Sequence, residues 1–128
     1  MPPLQAVLAP GSAPPKGPYT PALKAGGFLF CSGQIGLDPA TGKLVAGGTC
    51  AELRQALANL EVLLKAAGLG PTSVAKTTLF LVDMGEFAAV NEVYAAYFGA
   101  SPRPARSSVA VAALPAGARV EIEAVALL

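Results

Sequence analysis

Two apolar stripes at helical spacing, set among runs of β-forming residues, constrain the fold of this chain more than any other feature. Leu53, Ala56, Leu57, Leu60, Leu64 and Ala67 recur at the intervals that line one face of an α-helix. Phe87, Val90, Tyr94 and Phe98 repeat the pattern. Ahead of the first stripe, Thr49-Cys50-Ala51-Glu52 matches a capping box, in which a hydroxyl and a carboxylate satisfy backbone donors reciprocally. Gly68 is a natural stop for that helix, and Glu61 with Lys65 makes a favourable pair one turn apart. Asp83 with Glu86 resembles a second capping arrangement, and Gly99 ends the second helix.

The segments around these helices read as strands and turns. Residues 74–82 are rich in β-branched and apolar types. Phe28-Leu29-Phe30-Cys31 reads as a buried strand that follows a Gly26-Gly27 turn and runs into Ser32-Gly33-Gln34-Ile35. Residues 106–113 and 119–127 read as strands on either side of a Pro115-Ala116-Gly117 turn, after a break at Ser101-Pro102-Arg103-Pro104. Residues 10–21, dense in proline and glycine, read as an extended arm that carries Tyr19, and Asp38-Pro39-Ala40-Thr41-Gly42 as a turn. The order strands, helix, strand, helix, strands predicts an α+β fold: a mixed β-sheet with two helices packed on one face, in a single domain over residues 1–128.

That architecture leaves a second sheet face to cover. The chain is 53% hydrophobic and only 13% charged, against roughly 25% charged in an average domain. An apolar excess of this kind predicts that another subunit covers part of the surface. The net charge is +1, with no basic run interleaved with aromatics, so no nucleic-acid partner is expected. No apolar run approaches the roughly 18 residues of a membrane span. Met1-Pro2-Pro3 lacks the basic and apolar regions of a secretory leader, so the expectation is a cytoplasmic protein with no membrane partner. The chain has no histidine. That excludes histidine-dependent triads and disfavours the usual zinc and non-haem iron sites. Cys31 lies in an apolar run and reads as core. Cys50 lies near a helix start, where a thiol can be acidified. Their spacing suggests neither a metal site nor a disulfide.

In so charge-poor a chain, an arginine at the start of a β-type run is unexpected. A guanidinium is costly to bury without an anion, and it is the side chain best shaped to hold a carboxylate through two hydrogen bonds. Strand alternation puts Arg106, Ser108 and Ala110 on one face. Glu121 and Glu123 share a face of the last strand, opposite Val120 and Ile122. Two readings of Arg106 stand: a structural ion pair with one of these glutamates, or capture of a ligand's carboxylate. Tyr19 reads as a packing lid or a site residue. Ser32 stands beside Gly33, whose missing Cβ permits close approach of a ligand or a turn. Asn91 borders the second helical stripe, and a buried amide there must find partners.

Several motifs stand in one order: Gly17-Pro18-Tyr19, Ser32-Gly33-Gln34-Ile35, Ala66-Ala67-Gly68-Leu69, Lys76-Thr77-Thr78, FAAVNEVY from Phe87 to Tyr94, Pro104-Ala105-Arg106-Ser107 and Val120-Glu121-Ile122-Glu123-Ala124. With these the chain resembles the RidA (YjgF) family from about residue 15 to its end. The resemblance implies a homotrimer of chorismate-mutase-like subunits with ligand sites in the clefts between neighbours. It also implies hydrolysis of small 2-imino acids, such as 2-iminopropanoate or 2-iminobutanoate, to 2-keto acids and ammonia, with no metal or organic cofactor. Carried over by position, Arg106 grips the substrate carboxylate and Glu121 attends the attacking water. Tyr19, Ser32, Gly33, Asn91 and Ser108 then line the substrate-binding cleft.

Three residues depart from the family's iminopropanoate branch. Ser108 stands where that branch commonly has cysteine, Ala110 where it often has glutamate, and Arg103 where an apolar aromatic is common. They leave two other readings open. One is a non-catalytic carboxylate-binding or chaperone-like trimer. The other is a ribonuclease or translation inhibitor, which the near-neutral charge and the lack of histidine disfavour.

Overall fold

The computed structural model describes residues 3–99 and 102–128. Ser101, in the predicted break, and Met1-Pro2 lie outside the described residues. The strands are β1 (Gln5–Ala6), β2 (Ala22–Ala25), β3 (Phe28–Gln34), β4 (Val74–Leu81), β5 (Ala105–Ala110) and β6 (Val120–Leu127). The helices are α1 (Thr49–Ala66) and α2 (Phe87–Phe98). One six-stranded sheet has the order β1-β2-β3-β6-β4-β5. Only β4 and β5 run parallel, with α2 as their crossover, and every other neighbouring pair is antiparallel. Among the described residues no helix is long and apolar enough to cross a membrane.

Alternation along the strands divides the sheet into two faces. Leu29 of β3, Leu79 and Leu81 of β4, and Ile122 of β6 are fully buried against Leu57, Leu60 and Leu64 of α1 and Val90 of α2. Burying each such side chain contributes roughly 1.5–3 kcal/mol. Cys31 belongs to this core, and burial pushes its thiol up to about 12, so it is inert at neutral pH. Cys50 is half-buried and free. Among the described residues the opposite face carries no helix. Phe28, Phe30, Val109 and Leu127 are each more than 40% exposed there, large apolar side chains left open to solvent.

Local structure departs from the sequence expectations at identifiable points. The capping box does not form. Gly48, with φ 87°, holds the cap position, and α1 has no side-chain cap. Thr49 is already inside the helix, with a buried Oγ1 that has no partner. Glu52 turns into the protein instead. It accepts hydrogen bonds from the backbone N–H and the Nη1 of Arg119, both at 2.8 Å. At the second helix half of the arrangement forms: Asp83 accepts from the Gly85 N–H at 2.8 Å and caps a 3-10 turn, Met84–Glu86, that leads into α2. The Gly26-Gly27 turn is present, both residues at positive φ, and it joins β3 to β2, a strand that the sequence pattern did not reveal. Strand β5 ends at Ala110, short of residue 113. The Glu61–Lys65 pair forms at 3.4 Å.

Candidate active site

The sequence-predicted site residues separate into two clusters on opposite faces of the sheet. On the helix-covered side, β5 sits at the sheet edge, and Arg106 pairs in register with the buried Thr77 of β4. Paired residues share a face, so Arg106 points toward α2. Its guanidinium carbon lies over the Tyr94 ring at 4.6 Å and over the Phe87 ring at 5.5 Å. Asn91 lies between these aromatics on the same stripe of α2, by its i+4 and i−3 spacing. The Asn91 Oδ1 and the Ser108 Oγ are buried and have no hydrogen-bond partner. A buried polar atom without a partner costs free energy, roughly 1–3 kcal/mol. Two such atoms on the α2–β5 surface that carries Arg106 make a site short of a ligand.

Glu121 and Glu123 face the other way. In register, Glu121 lies opposite Phe80 and Glu123 opposite Thr78, the β4 residues that point away from the helices. The ion pair of Arg106 with either glutamate therefore does not form. Among the described residues the ion pairs are Lys65–Glu61 and Arg119–Glu52, and Arg106 joins neither. The reason is phase. Alternation tells which residues of one strand share a face, whereas the β4 register puts Arg106 and the glutamates on opposite faces.

Glu121 borders a cleft of about 350 Å³ whose walls include Tyr19, Ser32, Gly33, Lys16 and Glu123. A β-bulge between Cys31 and Gln34 breaks the β3–β6 ladder where Ser32 and Gly33 sit. Such bulges re-aim a strand next to functional sites. Here the bulge brings the Gly33 backbone against the Glu121 carboxyl: a Cβ on Gly33 would lie 2.6 Å from Oε2. Ser32 is tied to the arm, its Oγ donating to the Thr20 carbonyl at 2.7 Å. Tyr19 accepts from the Lys16 N–H at 3.1 Å through its hydroxyl and is half-exposed. Burial raises the Glu121 pKa above the ordinary glutamate range, and the neighbouring Glu123 raises it further. Such a carboxyl exchanges protons closer to neutral pH than a free glutamate does. Among the described residues no cluster of three acidic, cysteine or histidine side chains could hold a metal ion.

Sequence reasoning assigned Phe87 and Tyr94 to the core stripe and overlooked their contact with Arg106. The available signal was the spacing of Phe87, Asn91 and Tyr94, which puts all three on one helical face. Arg103, flagged as a departure, donates through Nε to the Gly99 carbonyl at 2.6 Å, where a cation complements the C-terminal end of α2.

The profile of the Endoribonuclease L-PSP family matches residues 10–128. The chain belongs to this family, the RidA family. A mouse relative named 2-iminobutanoate/2-iminopropanoate deaminase is 52% identical over 111 residues, which cover 87% of this chain and 82% of the mouse protein. Among solved structures, that of a putative endoribonuclease from Thermotoga maritima superposes with a TM-score of 0.91 at 44% identity and covers 97% of both chains. The structure of E. coli TdcF with bound serine superposes with a TM-score of 0.89 at 35% identity, over 97% of this chain and 98% of that one. The six-stranded mixed sheet with two helices is thus the fold of RidA-family neighbours.

Proposed function

We propose that this RidA-family chain hydrolyses small 2-imino acids to 2-keto acids and ammonia, in clefts between copies of itself. One observation carries the reading. Among the described residues, Arg106 keeps its donors free of any carboxylate, on a surface that holds two buried polar oxygens without partners. The mouse relative's name supports the reaction. The serine bound to TdcF supports a ligand with a carboxylate beside a substituted carbon.

The chemistry then follows from the residues. The Arg106 fork takes the substrate carboxylate and fixes the C=N carbon, an orientation effect. The Asn91 Oδ1 accepts the imine N–H. Glu121 holds a water and takes one of its protons as the oxygen bonds to the C=N carbon. That proton is returned to nitrogen to give the carbinolamine, and the hydroxyl proton then passes to nitrogen as the C–N bond breaks, its electron pair leaving on ammonia while the O–H pair forms the C=O of the keto acid. Water is the only co-reactant. Since Arg106 and Glu121 open to opposite faces of one chain, the complete site combines Arg106 of one copy with Glu121 of a second. Packing of copies would also cover the exposed apolar sheet face, and the family resemblance supports three as their number. Light scattering should then give three times the 12.8 kDa chain mass.

The test is imine hydrolysis itself. An L-amino acid oxidase generates 2-imino acids in the presence of semicarbazide, which traps whatever imine survives. The protein is expected to suppress semicarbazone formation. A folded trimer that leaves trapping unchanged would overturn the deaminase reading in favour of a non-catalytic binding site.

Two further outcomes follow from the Glu121 half-site. Gly33→Ala puts a methyl into the space of the Glu121 carboxyl, whose flexible end swings aside. We expect kcat to fall at least about tenfold with little change in thermal midpoint. An unchanged kcat would show that the carboxyl position is immaterial. The pH profile tests the charge. Glu121 must be ionised to take a proton, so kcat/KM falls as pH drops through its raised pKa. Glu123→Gln removes the anion that helps raise that pKa, so the acid limb should move to lower pH. A limb that stays in place would assign it to a group other than Glu121.

A further inference from the structure

The Arg106 fork is useful only if it is held in one plane without spending its donors. A carboxylate partner inside the protein would fix it and also consume it. The α2 surface offers a different means. The guanidinium carbon sits over the faces of Tyr94 and Phe87, at 4.6 and 5.5 Å. A ring face attracts a cation through its quadrupole and makes no claim on the N–H groups, which radiate in the guanidinium plane. The ring itself is pinned. The Tyr94 hydroxyl hydrogen-bonds the Thr77 Oγ1 at 2.7 Å in the core. Thr77 is the β4 residue in register with Arg106. On its other side Tyr94 packs on Phe98, ring centroids 4.6 Å apart.

We propose that Tyr94, seconded by Phe87, is a positioning residue. It forms an aromatic shelf that fixes Arg106 while leaving its in-plane donors free for the substrate carboxylate. The inference deepens the imine-deaminase reading and rests on it for its functional consequence. The mechanism assigns these aromatics no contact with substrate. They act through the arginine.

The test compares Tyr94→Leu, Phe87→Leu and Tyr94→Phe in the assembled 128-residue chain. Tyr94→Leu is expected to raise KM for 2-iminobutanoate about tenfold, equivalent to about 1.4 kcal/mol, with kcat within about twofold. Phe87→Leu, at the longer distance and on a half-buried residue, should move KM the same way by about threefold. Tyr94→Phe keeps the ring and should restore KM to within about twofold of the parent, although it loses the Thr77 bond and therefore stability. A purely structural role would lower the thermal midpoint and leave KM alone. KM within about twofold of the parent in both leucine variants would overturn the shelf. A separate readout covers failure of the parent reading, seen as wild-type kinetics in Arg106→Ala. Nitrogen-15 relaxation of the Arg106 Nε–H should then show a side chain restricted in the parent and mobile in Tyr94→Leu. Equal mobility would overturn the proposal independently of turnover.

Discussion

Arg106→Ala is expected to lower kcat/KM for 2-iminobutanoate by about two to four orders of magnitude while the chain stays folded and assembled. The size follows from two charge-assisted hydrogen bonds at about 1.5–3 kcal/mol each. Folding should survive because, among the described residues, the Arg106 guanidinium makes no ion pair and instead lies over the Tyr94 and Phe87 rings. Arg106→Lys should recover little. An ammonium is a point charge that cannot form the fork. The measurement is the semicarbazide-trapping rate, with light scattering to check assembly. A loss smaller than about tenfold in the alanine variant would remove Arg106 from substrate binding.

The second large effect is on stability. Arg119→Ala should destabilise the fold by about 3 kcal/mol, although Arg119 is mostly solvent-exposed. The cost lies with its partner. Glu52 is wholly buried in α1 and accepts from the Arg119 Nη1 and backbone N–H. Removing the guanidinium leaves a buried carboxylate with one donor of the two. At fixed protomer concentration, which matters for an assembling chain, the thermal midpoint should fall by roughly 10 °C. Glu52→Gln keeps the shape and one acceptor oxygen and should lose only about 1 kcal/mol. Equal midpoints for Arg119→Ala and the parent would show the pair to be surface decoration. The tie also bears on the site. Arg119 precedes β6, and the Val82 N–H donates to its carbonyl at 3.1 Å. The α1 contact therefore anchors the point from which β6 carries Glu121 to the cleft.

Both expectations depend on contacts far apart in sequence. Glu52 and Arg119 are separated by 67 residues, so the capping box was a sound local reading that a distant arginine overrode. Thr49 had the right side chain, but Gly48 at positive φ already turned the chain into the helix. The arrangement at Asp83 survived in part because its acceptor and donor lie two residues apart, where no tertiary contact competes.

The sequence by itself determined both helices, strands β3 to β6 and their order, but not β1 and β2. Helical and strand periods, the Gly26-Gly27 turn and the stops at Gly68 and Gly99 belong to single segments and depend on local sterics and hydrogen bonding. It also determined which side chains were worth suspecting, because an arginine in so apolar a chain is costly without a purpose. The tertiary structure decided how those side chains combine. Each strand's alternation has a period that can be read locally, but its phase relative to a neighbour is set by register. That register turns Arg106 toward Tyr94 and Phe87, turns Glu121 toward the bulge at Gly33, and separates the two by the thickness of the sheet.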